Sequence, residues 1–100
     1  MDTKYQVFFT ETAKKHIIGI YGYIADNYVD DFAVKNFMQK IDKKLCLLAD
    51  FPKMYPISRI KDYRKINVDD YLVFYKLDEK QKIAQITAMY HGAQDYQKYF

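Results

Sequence analysis

Residues 90–96 of this 100-residue chain read Tyr-His-Gly-Ala-Gln-Asp-Tyr, which places an imidazole, a carboxylate and two phenols in one short stretch. With an unperturbed pKa of about 6.5, His91 exchanges protons at neutral pH. Its place just before Gly92 suits a side chain projecting from a strand end into a concave face. A histidine there serves equally well as a hydrogen-bonded structural residue, and Asp95 reads as a tail cap or anchor rather than a catalyst. Upstream, Arg59, Lys61, Arg64 and Lys65 belong to a run, residues 40–65, that carries eight basic side chains against Asp42, Asp50 and Asp62. Residues 1–34 reverse the balance with five acids and three lysines, so the net charge of +3 is concentrated mid-chain. Such a cluster is either a solvated face or a site for a polyanion or an acidic partner segment, because clustered Lys and Arg raise the local potential and release counterions on binding.

Other chemistry is poorly provided for. Three glycines cannot build a phosphate-cradling loop, and one cysteine with two distant histidines, His16 and His91, is not a zinc set. Ser58 is the only serine, so no serine-nucleophile motif exists. Neither a metal nor a cofactor is expected. His16 precedes a core position of a helix and reads as a partly exposed polar residue. Cys46 lies beside an apolar helical stripe and reads as a small buried or half-buried filler. A lone cysteine makes no internal disulfide, no N-terminal stretch has the pattern of a signal peptide, and no apolar run approaches membrane-spanning length. The expected setting is reducing and cytoplasmic.

One hundred residues, half of them apolar, suit one small domain with a thin core, here residues 1–100. Eighteen aromatic residues, eleven of them tyrosine, offer wide contact area with polar tips, which favours strand surfaces and interfaces. The elements that must position the reactive side chains follow from periodicity. Lys4–Phe9 alternates as a strand, with Tyr5, Val7 and Phe9 on one face. Thr10 then offers its hydroxyl to a helix start, and Ala13, Ile17, Ile20, Tyr21, Ile24 and Tyr28 form one helical stripe. Gly19 and Gly22 interrupt that helix, each at a cost of about 1 kcal/mol, and could permit close approach of a neighbour. Asp30 and Asp31 offer caps for a second helix with a stripe at Ala33, Phe37, Ile41, Leu45 and Leu48, ended by Phe51-Pro52. The short connection makes the two helices an antiparallel hairpin.

Beyond the Pro52–Pro56 loop the period becomes strand-like. Ile57–Ile60 reads as a short strand and Tyr63–Val68 as a firmer one. Asp69-Asp70 is a turn, and Tyr71–Leu77, apolar at nearly every position, is a central strand buried on both sides. Asp78–Gln81 turns the chain into a last strand, Lys82–His91, with Ala84, Ile86, Ala88 and Tyr90 on one face. The expected architecture is α+β, ordered β-α-α-β-β-β with a possible further short strand, the hairpin packing on a twisted antiparallel sheet.

The segments "FFTETAKKHIIGIYGYIA", "LADFPKMYP", "YRKINVDDYLVFYKLDE" and "ITAMYHGAQDY", in that order and over nearly the whole chain, resemble the RelE/ParE superfamily of toxins from bacterial type II toxin–antitoxin modules. The resemblance implies a growth-inhibiting toxin held by a cognate antitoxin, with DNA reached only through the antitoxin and no membrane partner. It also implies one of two targets. RelE-like members cut messenger RNA on the ribosome without a metal. In that case His91 is the general acid or base, Arg64 stabilises the phosphorane, and Arg59, Lys61 and Lys65 join Arg64 in holding the RNA. ParE-like members poison DNA gyrase and are not nucleases. RelE-like nucleases commonly carry an arginine in the pattern Tyr-Arg-Leu-Val-Tyr, whereas this chain has Leu72 in Tyr71-Leu72-Val73-Phe74-Tyr75. The "HGAQD" ending resembles the His-Gly-Ala-Arg-Asp of ParE-like members, with Gln94 replacing the arginine. Leu72 tips the reading to the ParE-like side. The ribosome-dependent nuclease is the alternative, and a non-toxic binding module that keeps the fold is a third possibility.

Overall fold

The computed structural model describes residues 4–27, 32–60 and 62–92. Tyr28, the Asp30-Asp31 cap, Lys61 and the stretch from Ala93 onward, with Asp95, lie outside them. The described elements are β1 (Gln6–Phe9), α1 (Glu11–Asn27), α2 (Phe32–Asp50), β2 (Arg64–Val68), β3 (Tyr71–Asp78) and β4 (Ile83–His91). The fold is α+β, with both helices packed on one four-stranded sheet in the order β1-β4-β3-β2.

α1 begins where Thr10 predicts, since the Thr10 hydroxyl accepts the Ala13 amide at 3.1 Å. Its inward stripe of Ala13, Ile20 and Ile24 meets Phe37, Ile41 and Leu48 of α2 above the sheet residues Ile66, Val68, Val73, Tyr75, Ala84 and Ile86. Tyr21 and Phe37 join the helices edge to face, with ring centroids 6.1 Å apart. β3 is interior as expected, flanked by β2 and β4, with Val73, Phe74 and Tyr75 buried on alternate faces.

Several local expectations are corrected. β2–β3 and β3–β4 are antiparallel, but β1 pairs with β4 in parallel, so the sheet is mixed. The two helices carry the chain back across the sheet, which leaves the direction of β1 free of any hairpin constraint. Ile57–Ile60 is not a strand; Ile57 makes one isolated bridge to Arg64. Cys46 is exposed rather than half-buried. Gly19 and Gly22 meet open space, so no described neighbour approaches them closely.

β4 departs most from its sequence pattern. Its register with β3 shifts between Phe74, which faces Ala88, and Tyr75, which faces Ile86, leaving Thr87 as the extra residue of a bulge. Ala84 and Ile86 therefore join the helix-side core, whereas Ala88 and Tyr90 join Phe74 in a second buried cluster, packed by Ile60, Tyr63 and Leu72. The four residues do not share one face, because one inserted residue inverts the alternation beyond it.

Candidate functional site

β3 serves as a scale along which the reactive residues can be placed. His91 faces Tyr71 at one end, and Arg64 faces Tyr75 four residues further on. At the rise of an extended strand the two positions are ~13 Å apart along β3. The structure does not bring them into one groove.

His91 is exposed and stands edge-on to the Tyr71 ring, with centroids 5.3 Å apart. Tyr71 in turn packs on Phe37 of α2 at 5.3 Å. This aromatic series forms one wall of a cleft of about 320 Å³ between the hairpin and the β2–β3 turn, lined also by Tyr23, Asn36, Asp69 and Asp70. The turn is fastened beneath His91 by the Gly92 amide, which donates to the Asp70 carbonyl at 2.7 Å. Asp69 adopts φ 54° and pairs with Lys40 of α2 at 2.9 Å. Among the described residues the cleft beside His91 is lined by acidic side chains and aromatic rings, and the cation at its edge, Lys40, is paired with Asp69.

Arg64 borders a second cleft, of about 490 Å³, with Lys53, Tyr63, Lys76 and Glu79. Its guanidinium is directed at the preceding loop and donates to the carbonyls of Tyr55 at 2.8 Å and Lys53 at 3.3 Å. The Tyr75 hydroxyl holds the same loop by donating to the Pro52 carbonyl at 2.8 Å, and burial pushes that phenol up to about 12. Lys53 pairs with Glu79, and each holds the other charged: the Lys53 ammonium is raised and the Glu79 carboxyl lowered by their mutual hydrogen bond. Lys76 lies over the Tyr63 ring, 4.6 Å from its centroid.

The mid-chain cations thus divide among separate tasks. Lys40 and Lys44 fasten α2 to the sheet, Lys40 through Asp69 and Lys44 through the Asn67 carbonyl. Arg59 is exposed in the loop before β2. Lys65 is half-buried and faces Phe74, so it points to the side of the sheet opposite Arg64. Leu72 belongs to the second cluster, beside Phe74, Ala88 and Tyr90. No group of three or more His, Cys, Asp or Glu able to hold a metal occurs among the described residues.

Sequence reasoning missed Tyr71 and Asp70 as neighbours of His91, and Lys53, Lys76 and Glu79 as neighbours of Arg64. Only strand register brings the first pair to His91. The Lys53–Glu79 contact joins residues from two loops with no shared pattern.

Residues 7–96 match the family described as the ParE toxin of type II toxin–antitoxin systems, parDE. The chain belongs to the ParE toxin family. Solved structures agree in fold with this ParE-family chain. The chromosomal ParDE system from P. aeruginosa is similar with a TM-score of 0.74 and 15% identity, covering 90% of this chain and 98% of that one. The RelBE2 toxin–antitoxin complex from Mycobacterium tuberculosis gives 0.62 and 15%, with coverage of 88% and 98%. The intact E. coli RelBE complex gives 0.59 and 16%, with coverage of 90% and 98%. No curated protein sequence matches the chain. As a ParE-family member it is a type II toxin by descent, and no helix among its described residues is long and apolar enough to cross a membrane.

Proposed function

We propose that this chain arrests bacterial growth as the toxin of a type II pair, that a cognate antitoxin covers it, and that its target is DNA gyrase rather than messenger RNA on the ribosome. The observation that carries the choice of target is the environment of Leu72. The slot in which RelE-like nucleases commonly place an arginine is occupied by an aliphatic side chain packed with Phe74, Ala88 and Tyr90. A leucine in that slot has no charge with which to stabilise charge developing on a phosphate. The ~13 Å separation of His91 from Arg64, and the engagement of Arg64 with two loop carbonyls, support the same reading. The family match favours a ParE-like target, and the antitoxin partner is in keeping with the neighbours described as toxin–antitoxin complexes. On this reading Arg59 and Lys65 serve as contacts to a protein target, and neither they nor His91 act as catalysts.

Induction of the chain in a bacterium, followed by separate measurement of DNA, RNA and protein synthesis, tests this proposal. DNA synthesis should fail first, with cleaved DNA trapped on gyrase and a DNA-damage response, and co-expression of the adjacent small gene should restore growth. Codon-positioned cuts in messenger RNA, with translation failing first, would sink the gyrase assignment. Normal growth with soluble protein present would instead identify a binding module without toxicity.

A further inference from the structure

β1 ends at Phe9, opposite Ile86, but β4 runs on to His91, so its outer edge from Thr87 onward has no strand beside it among the described residues. A bare edge of this kind leaves amides and carbonyls without ladder partners. The residues that follow β1 take over the pairing. The Thr10 amide donates to the Ile86 carbonyl at 2.9 Å, and the Thr10 hydroxyl donates to the Thr87 carbonyl at 3.2 Å. One and a half helical turns later, Nδ1 of His16 accepts the Met89 amide at 3.1 Å. The same imidazole lies against the Tyr90 ring, with centroids 4.9 Å apart. An imidazole side chain therefore occupies the place that a strand carbonyl would fill.

An Nδ1 that accepts carries no proton, so the ring in this geometry is neutral with its hydrogen on Nε2. Protonation converts the acceptor into a donor and sets two N–H groups against each other across the same gap. Nothing described nearby offsets that change. The residues one turn away on α1, Thr12, Ala13, Gly19 and Ile20, carry no ionisable group, and the titratable group facing the ring from β4 is the Tyr90 phenol. Lys14, on the same helix, is paired with Glu11. Burial lowers the His16 imidazole below its ordinary 6.5, in keeping with a ring held neutral.

We propose that His16 is a proton-sensitive latch that fastens α1 to the open edge of β4. Neutral, it completes the hydrogen bonding of the strand; protonated, it releases Met89 and loosens the seam between helix and sheet. The device is independent of the target of the toxin. Acidification acts on it through one ring, while the Thr10 contacts to the same edge contain no titrating group.

Nuclear magnetic resonance on the full chain tests the latch between pH 7.5 and 4.5. At the upper pH the long-range imidazole spectrum should report His16 as the Nε2–H tautomer. Corrected for intrinsic rates, protection of the Met89 amide from hydrogen exchange should fall roughly tenfold on acidification, the scale of one lost bond whose donor is left unpaired. Protection of the Thr10 amide should hold. His16→Phe, which fills the space without an acceptor, should lose the Met89 protection at both pH values. An Nδ1–H tautomer at pH 7.5, or Met89 protection that is equal at both pH values, overturns the proposal. The wild-type measurements decide the question alone if the variant does not fold.

Discussion

Arg64 illustrates how a side chain in a catalytic-looking position can also be engaged in structure, here through one guanidinium nitrogen. Its two carbonyl contacts hold the loop that leads from α2 to β2, so Arg64→Ala should destabilise the protein by about 1–2 kcal/mol in urea titration, the range for lost charge-assisted hydrogen bonds at a half-buried site. Any loss of toxicity in that variant needs comparison with its stability before a role at the target is assigned. Tyr75 holds the same loop from a fully buried position, and Tyr75→Phe should cost about 1 kcal/mol at pH 7. The sign of its pH dependence follows from a folded value of about 12 against about 10 unfolded. Its stabilisation is complete below pH 10 and is lost as pH rises from there through 12. The difference between wild type and Tyr75→Phe in denaturation midpoint should therefore shrink only in that alkaline window. His91 was legible as an exposed strand-end histidine, but its neighbours were not, because Tyr71 reaches it through pairing between strands far apart in sequence.

At the scale of elements, α1 was readable nearly residue by residue, since the Thr10 cap and the 3.6-residue stripe are local signals. Its glycines were misread as marks of close packing. Because a Cβ at Gly19 or Gly22 meets nothing within 4 Å, each Gly→Ala substitution should stabilise the free chain by about 1 kcal/mol, measured as a rise in denaturation midpoint. An unchanged or lowered midpoint would mean that some cost at these positions has been overlooked. The parallel approach of β1 left no local trace, because a two-residue period is the same whichever way a strand runs. The exposure of Cys46 was legible and was misread. Although it follows Leu45 in sequence, at 3.6 residues per turn it lies roughly 160° from the centre of the α2 stripe, on the outward face.

Taken whole, the molecule is one sheet with buried clusters on both faces, as the apolar run Tyr71–Leu77 implied, although which residues would form the cluster away from the helices was not foreseen. The second one makes Phe74 a core residue, fully buried on the face away from the helices. Phe74→Ala should destabilise by about 3–5 kcal/mol, as for a large aromatic removed from a packed interior. A loss below 1 kcal/mol in chemical denaturation would show that this face contributes contact area but little stability. The basic mid-chain run was legible as charge but not as geometry. Lys40, Lys44, Lys53 and Arg64 each reach a different partner, and Lys65 points away from Arg64 across the sheet. A count of cations along the chain carries no information on how a sheet distributes them between its faces.

Thr87 links the two clusters. Were it drawn into the regular ladder without the bulge, β4 would still contain every apolar side chain it had, yet Ala88 and Tyr90 would turn toward the helices while Met89 turned away. A one-residue deletion or insertion elsewhere in this strand would invert the faces in the same way, whereas loss of Thr87 alone would leave them in place. The loop from Phe51 to Tyr63, whose described residues include only an isolated bridge, has no such parity to keep. Length variation among relatives should collect in that loop and stay out of the strand that carries the bulge.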